Sequence, residues 1–353
     1  MSQRLECDVL VVGAGPAGSS AAAVAANLGA RVVIIDKRSE VGLPVQCAEH
    51  IPKPLAMEIE LTADAVAQQV AGTKVYIDSK KVAVTDAPGY ILNRDVFDSS
   101  LASEAVRSGA RLMMRTTAAD RTENSVLASQ NGSEMEINCR IIIGADGPTS
   151  TVGGWIGQRN SKFVKAIQST VSLSNPLQYC EIYFEPEFNA GYGWLFPKGD
   201  VANVGIGVVS TDSNLSELLD RFLERLGREG KISEGEVCST AGLIPVGGSL
   251  PTLVENVMLV GDAAGQTHPI SGAGIPQAVV CGKLAGRSAA RAVLEEDMSQ
   301  VTVYEREWTK LYGSTLDHAC RKRETMEAEW NGRNFTELIR RSWIGFKEYY
   351  RTP

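Results

Sequence analysis

Near its start the chain carries an unbroken apolar run, Val9-Leu10-Val11-Val12, cut off by Gly13 and followed by small residues from Pro16 to Ala26. A short apolar run bounded by glycine reads as a strand buried on both faces, and the small residues after it as a helix lying close to a sheet. Val33-Ile34-Ile35-Asp36 repeats the buried-strand pattern, so residues 7–36 predict a strand–helix–strand unit. From Lys37 to Pro54, glycine, proline and polar residues show no helical period, which predicts a loop. Alternation returns in Lys74-Val75-Tyr76-Ile77 and Lys81-Val82-Ala83-Val84-Thr85 and breaks at Ala87-Pro88-Gly89, predicting strands near 72–92. Asn93-Arg94-Asp95 then opens a helix running to Gly109, with Val96, Phe97, Leu101 and Ala105 on one face.

Residues 111–145 read as short strands and turns, with a hairpin at Asn131-Gly132 and a buried strand at Ile141-Ile142-Ile143-Gly144. From about 163 to 245 the pattern is mostly strand-like, interrupted by a helix near 214–228. Val257-Met258-Leu259-Val260-Gly261-Asp262 is another buried strand meeting a carboxylate, and a helix from about Ile275 to Leu294 precedes a largely helical tail. There is no internal repeat.

Composition narrows the function classes. With 353 residues the chain is long enough for two domains, or for one with an inserted lobe. A net charge of −7 and a pI near 5.3 argue against a nucleic-acid partner and give no long-range pull toward anionic lipid. Peripheral membrane contact would therefore have to be apolar or local. No apolar stretch is long enough to span a bilayer, and the chain enters its first strand directly, so a cytoplasmic protein without a secretory signal is expected. The seven cysteines are scattered, with no close pair to suggest a redox dithiol or a metal site.

The candidate chemistry starts at Gly13-x-Gly15-x-x-Gly18. Gly13 permits the tight turn, Gly15 lets the backbone approach a pyrophosphate, and Gly18 lets the helix approach the sheet. The helix N-terminus offers N–H groups to phosphates, and Asp36 sits where a carboxylate can accept from the adenosine ribose. Three later segments extend this dinucleotide site toward a flavin. They are Ala145-Asp146-Gly147, Gly261-Asp262-Ala263-Ala264-Gly265, and His268-Pro269-Ile270-Ser271-Gly272-Ala273-Gly274-Ile275. The first two stand at strand ends, where ligands of open parallel sheets bind; the third can aim N–H groups at a flavin pyrimidine ring.

In that order, together with Arg94 and Asp98, these motifs resemble the flavoproteins of the p-hydroxybenzoate hydroxylase fold. Within that group the chain is similar to the geranylgeranyl reductase family. Val45-Gln46-Cys47-Ala48-Glu49-His50-Ile51 resembles the family's Cys-Gly-Glu-Gly loop beside the flavin. Tyr192-Gly193-Trp194-Leu195-Phe196-Pro197, followed by Asn203-Val204-Gly205-Ile206-Gly207, resembles its Tyr-x-Trp-x-Phe-Pro substrate motif. Departures from the family pattern are Asn189 in place of a proline, and Ala48 and His50 in place of the glycines beside the loop acid.

The resemblance implies an α/β protein: a Rossmann-type FAD-binding domain over 1–71, 93–160 and 246–300, an inserted β-rich substrate domain over 72–92 and 161–245, and a helical C-terminal segment over 301–353. It implies FAD held by Gly13, Gly15, Ala17, Gly18, Asp36, Lys37, Cys47, Arg94, Asp146, Gly261, Asp262, Gly272, Ala273, Gly274 and Ile275. Tyr192, Trp194, Phe196, Pro197 and His268 are expected to line an apolar substrate pocket. Cys47 is expected at the flavin face, with Glu49 or His50 as proton carriers.

The implied reaction is reduction of carbon–carbon double bonds in an isoprenoid or similarly apolar molecule, carried out by a monomer. Electrons would come from NAD(P)H docking transiently or from a ferredoxin-like carrier protein, since no second Gly-x-Gly-x-x-Gly is present. Two rivals stay open. An aromatic-hydroxylase type of monooxygenase normally reads Gly-Asp-Ala-Ala-His with an Asn after its last glycine motif, where this chain has Gly265 and Pro276. A flavin-dependent halogenase carries Gly-Trp-x-Trp-x-Ile-Pro, where Tyr192 replaces the first Trp.

Overall fold

In a computed structural model describing residues 3–57, 59, 61–209 and 214–351, Val9–Val12 occupies the middle of a six-stranded sheet. Val32–Ile35 and then Arg111–Met113 lie on one side of it; Ile141–Gly144, Val257–Leu259 and Leu253–Val254 lie on the other. The pairings are parallel except at the last strand. Val9–Val12, Val32–Ile35 and Ile141–Gly144 are buried along their whole length, which explains their continuous apolar runs. The chain leaves Val9–Val12 in one direction and later returns to its other side. The C-terminal ends of these strands therefore form a topological switch point, the usual place for a ligand in an open α/β sheet.

Helices Pro16–Asn27 and Ile275–Leu294 cover one face of this sheet together. Their small residues allow a close crossing: a Cβ at Gly282 would fall 2.3 Å from the Ala17 carbonyl oxygen, and one at Gly286 2.1 Å from that of Ala21. The other face packs on a smaller sheet of Gln3–Glu6, Ser133–Asn138, Ser125–Gln130 and Thr116–Arg121. Its expected hairpin is present, with Asn131 and Gly132 both at positive φ, as a tight two-residue turn demands.

The second large sheet has seven strands in the order Ile232–Pro245, Phe163–Leu173, Val201–Val208, Tyr192–Lys198, Tyr179–Phe184, Gly72–Ile77 and Lys80–Thr85. Helix Leu215–Arg228 covers one face through Leu218, Leu219, Phe222 and Leu226, and the opposite face meets the lobe of the six-stranded sheet, the one expected to hold the cofactor. Helix Arg94–Arg107 starts and stops within two residues of the expected limits.

One expectation is corrected. Gly89–Leu92 does not join the inserted sheet; it pairs with His50–Pro52 and Val66–Val70 in a separate three-stranded sheet. His50–Pro52 is thus a strand inside the expected loop, a three-residue pairing too short to leave a period. The C-terminal segment is helical, with helices Val301–Trp308, Ser314–Glu329 and Phe335–Ser342, and it packs into both cores. Tyr304, Trp308 and Leu316 enter the core of the cofactor lobe, whereas Trp343, Phe346 and Tyr349 enter that of the seven-stranded sheet.

Candidate active site

At the C-terminal end of Val9–Val12 the three motif glycines have three different reasons to be glycine. Gly13 has φ +104°, and a Cβ there would fall 2.3 Å from the Ala145 carbonyl oxygen. A Cβ at Gly18 would lie 1.9 Å from the Gly13 oxygen. Gly15 is extended, and a Cβ there would meet nothing within 4 Å. Its missing side chain serves no contact inside the protein and leaves open space over the helix N-terminus, as a pyrophosphate cradle requires. Ala17 is buried, and its side chain faces Gly261, so only its backbone remains for a phosphate.

Asp36 is 5% exposed and already saturated. Oδ2 accepts from Ala14 N at 2.8 Å and Arg38 Nη2 at 2.6 Å, while Oδ1 accepts from Arg38 N at 2.9 Å and Nε at 3.0 Å. Burial alone would raise its pKa, but the Arg38 guanidinium holds the carboxyl below the usual range. A ribose could reach Asp36 only by displacing Arg38, a residue that no sequence motif marks. Lys37, the residue expected to bind, is exposed in the bend that follows strand Val32–Ile35.

Arg94 forms a two-pronged ion pair with Asp98, Nε–Oδ1 2.8 Å and Nη2–Oδ2 2.9 Å. Burial opposes its charge, but Asp98 and the Cys47 thiol hold the guanidinium proton well above its ordinary value. Arg38 and Arg94 feel one another's field, as do Arg94 and Asp262. Asp262 Oδ1 accepts from Thr267 Oγ1 at 2.7 Å, whereas Oδ2 has no partner among the described residues. Burial raises its pKa, opposed by Thr267 and Arg94. Gly261, at φ +64°, brings this strand end against Ala17. Asp146 departs from expectation: Ser150 Oγ, Thr151 N and Val152 N all donate to its carboxylate at 2.5–3.2 Å, so it fastens the start of helix Thr151–Trp155 and offers no free oxygen.

The turn from His268 to Ile275 sits at the head of helix Ile275–Leu294. Gly272 takes φ +67°, with space beside it for Ile244 and the Tyr192 hydroxyl. A Cβ at Gly274 would approach Asp262 Oδ1 to 3.3 Å. Ala273 N makes one long bond, 3.4 Å to Ser271 Oγ, and the N–H groups of Gly274 and Ile275 have no acceptor among the described residues. The Ile275 side chain anchors this end in an apolar cluster with Ile51, Phe97 and Val279. His268 is a turn residue and not a pocket wall: its Nδ1 accepts from Ser271 N at 3.2 Å, and burial lowers its pKa to about 4. With Gly15's open space, Asp262 Oδ2 and these free N–H groups, the residues fit FAD along the strand ends.

Cys47 is half-buried, and its Sγ accepts from Glu49 N at 3.2 Å. Neither expected proton carrier is available beside it. Glu49 is 2% exposed and accepts from Arg94 N (3.1 Å), Lys198 Nζ (2.7 Å) and Asn203 Nδ2 (2.7 Å). His50 packs edge-on to Phe196, centroids 5.8 Å apart, and burial lowers its pKa to about 4, so it is neutral near pH 7. Both corrections have one cause: the local sequence could not reveal that this loop is clamped by the distant sheet.

On that sheet Tyr192, Trp194, Phe196 and Lys198 alternate onto one face, toward the cofactor lobe. Tyr192 Oη donates to the Ser271 carbonyl at 2.5 Å and its ring meets Trp343 edge-on at 5.1 Å. Trp194 Nε1 donates to Gln168 Oε1 at 3.2 Å, and Gln168 Nε2 donates to the Cys47 carbonyl at 2.9 Å. Pro197 alternates to the opposite face and is not a pocket residue. Between Tyr192, Trp194, Ile244, Gly272 and Arg323 lies a cavity of about 20 Å³, room for a single water. Gln168, Lys198, Trp343 and Arg323 were missed because none lies in a motif with a local signature.

Comparison with known proteins gives three family matches: an FAD binding domain over residues 6–181, a geranylgeranyl reductase catalytic domain over 164–242, and a lycopene cyclase protein over 210–335. A digeranylgeranylglycerophospholipid reductase of Methanothrix thermoacetophila is 39% identical over 337 residues, covering 88% of this chain and 85% of its own. Another, from Methanothermobacter thermautotrophicus, is 41% identical over 318 residues, covering 83% and 79%. The crystal structure of a geranylgeranyl bacteriochlorophyll reductase-like protein from Thermoplasma acidophilum superimposes with a TM-score of 0.82 at 28% identity, covering 99% of each chain.

Proposed function

The chain belongs to the geranylgeranyl reductase family of FAD-dependent oxidoreductases, and from that membership we propose that it saturates carbon–carbon double bonds in the isoprenoid chains of a membrane lipid of the digeranylgeranylglycerophospholipid type. When bound, reduced FAD supplies the hydride. An isolated alkene is a poor hydride acceptor, so a proton must arrive with the hydride or before it. In this reading Cys47 Sγ carries that proton. Glu49 and Arg94 hold the loop, and Tyr192, Trp194 and Phe196 keep water from the reacting carbons.

The observation that carries the reading is the relay Cys47 O···Gln168 Nε2 and Gln168 Oε1···Trp194 Nε1, which ties the flavin-side loop to the aromatic wall. Because the cavity beside that wall holds only about 20 Å³, the wall must part to admit an isoprenoid chain. The aromatic edge contacts between Tyr192 and Trp343 are where it would open.

Electrons reach the flavin from NAD(P)H docking transiently or from a ferredoxin-like carrier. Anaerobic reduction of the bound flavin by each candidate in turn identifies the donor. No helix among the described residues is long and apolar enough to cross a membrane. The test is to incubate the FAD-loaded protein, reduced under anaerobic conditions, with the unsaturated lipid in detergent micelles. A mass gain of two hydrogens per double bond supports the proposal. An unchanged lipid, with oxygen-dependent hydroxylation of another compound, would move the chain to the monooxygenase reading.

A further inference from the structure

Arg323, on helix Ser314–Glu329 of the C-terminal segment, is 1% exposed although it carries a full charge. Its Nε donates to the Pro269 carbonyl at 2.9 Å and its Nη2 to that of Ile270 at 3.4 Å, while Nη1 donates to the Ala190 carbonyl. Glu327 is the one carboxylate within ion-pair reach among the described residues. It stands 3.9 Å away and binds Lys162 at 2.9 Å through its other oxygen. Burial draws the guanidinium pKa down to about 10, which leaves it protonated at neutral pH. Backbone carbonyls thus hold this cation, and most of them belong to one turn.

That turn has spent all its nearby acceptors. The carbonyls of His268, Pro269, Ile270 and Ser271 accept in sequence from Gly272 N, Arg323 Nε, Arg323 Nη2 and Tyr192 Oη. What remains unengaged is the N–H groups of Gly274 and Ile275, at the positive end of a 20-residue helix. A buried charge behind such a turn acts at low dielectric, where its field is weakly screened.

We infer that Arg323 is a positioning residue for the flavin's redox chemistry. It fixes the 268–274 turn with its carbonyls bound from behind and adds a positive charge to the N–H groups that face the pyrimidine ring. The inference rests on the proposed reading that FAD lies against this turn. Hydride addition at N5 delivers two electrons and one proton, so the reduced ring is left anionic unless it takes up a second proton. Arg323 favours the anion and thereby raises the reduction potential.

The experiment is a dye-equilibrated midpoint titration of FAD-loaded wild type, Arg323→Lys and Arg323→Gln. Arg323→Gln is expected to lower the equilibrium constant for two-electron reduction at least tenfold, a shift of about 30 mV. Arg323→Lys, which keeps the charge, should lose less than half of that. A fully loaded Arg323→Gln protein with an unchanged midpoint overturns the inference. If that variant does not fold, the wild-type slope between pH 5.5 and 7 decides: one proton per two electrons gives about 30 mV per pH unit and supports it, while two protons give about 60 mV and overturn it. A wild-type protein that takes up no FAD contradicts the functional reading itself, a result distinct from either slope.

Discussion

Lys198 Nζ stands 2.7 Å from Glu49 Oε2, an ion pair joining a strand of the seven-stranded sheet to the cofactor-lobe loop that carries Cys47. Glu49 is held at φ +70°, a conformation that costs a non-glycine residue energy and persists only where the surroundings enforce it. Asn203 and the Arg94 N–H complete that enforcement. Glu49→Gln keeps an acceptor for Arg94 but leaves Lys198 without its counter-charge. Because Lys198 is partly exposed, we expect a loss of about 2 kcal/mol, below the range for a fully buried pair. Turnover per folded, FAD-loaded molecule should fall by less than about tenfold, whereas loss of a general acid costs roughly a hundredfold or more. Urea denaturation and single-turnover reoxidation of the reduced flavin by substrate separate the two outcomes.

The glycines of the first turn should separate under substitution. Gly15→Ala adds a methyl where no protein atom lies within 4 Å, at a backbone conformation any residue adopts. The apoprotein should hold its stability to within about 0.5 kcal/mol. FAD affinity should fall at least about tenfold, since the methyl occupies the phosphate approach. Gly18→Ala forces a contact at 1.9 Å with the Gly13 oxygen and should destabilise the apoprotein by about 1–3 kcal/mol, a typical overpacking cost. Thermal melts of the apoproteins and flavin fluorescence titrations check both. A Gly15→Ala protein binding FAD like wild type would remove the pyrophosphate from this turn.

The parts of the fold legible in the sequence are those whose signal is local. Val9–Val12, the glycine turn and helix Ile275–Leu294 each carry their pattern within twenty residues or fewer, and each lies where the pattern put it. Glu49, Asp146 and His268 were misread because their roles depend on partners. Asp146 lies at a strand end, as expected, yet its carboxylate closes the next helix; His268 faces its own turn. Arg323 and Trp343 come from a helical tail with no motif at all, and reach the site only because the tail packs across both cores. Sequence periodicity reports which face of an element is buried, not what it is buried against.

His268 gives the turn a pH dependence. Its folded pKa of about 4 lies below the unfolded value of about 6.5, because burial disfavours the imidazolium and Nδ1 must stay unprotonated to accept from Ser271 N. Below about pH 6.5 the unfolded chain therefore takes up a proton that the folded chain refuses. Stability contributed by this residue is complete above that value, declines as pH falls toward 4, and levels off below. His50, with the same direction of shift and the same cause, adds to the slope over the same window. His268→Asn offers an oxygen to Ser271 N and cannot titrate. Its melting temperature should therefore fall less than wild type's between pH 7 and 4.5. Parallel pH profiles for the two proteins would show that the acid sensitivity lies elsewhere.

Gln168 tests whether the aromatic wall and the Cys47 loop act together. It is 6% exposed, accepts from Trp194 Nε1 and donates to the Cys47 carbonyl, so both halves of its amide are committed. Gln168→Met keeps the length and volume of the side chain and removes both bonds. Two buried polar groups then lack partners, at about 1–3 kcal/mol each where water cannot reach them. We expect a stability loss of about 2–6 kcal/mol. FAD affinity should change little, because Gly15, Asp262 and the 268–274 turn are untouched. Turnover should drop at least about tenfold, as the loop holding Cys47 loses its tie to the substrate face, a misplacement of the kind that slows chemistry without unbinding the cofactor. Cys47→Ser in the same background provides the control. If the Gln168 bond acts by placing the thiol, the double variant should be no slower than Cys47→Ser alone. Additive losses would mean that Gln168 supports the wall independently of Cys47.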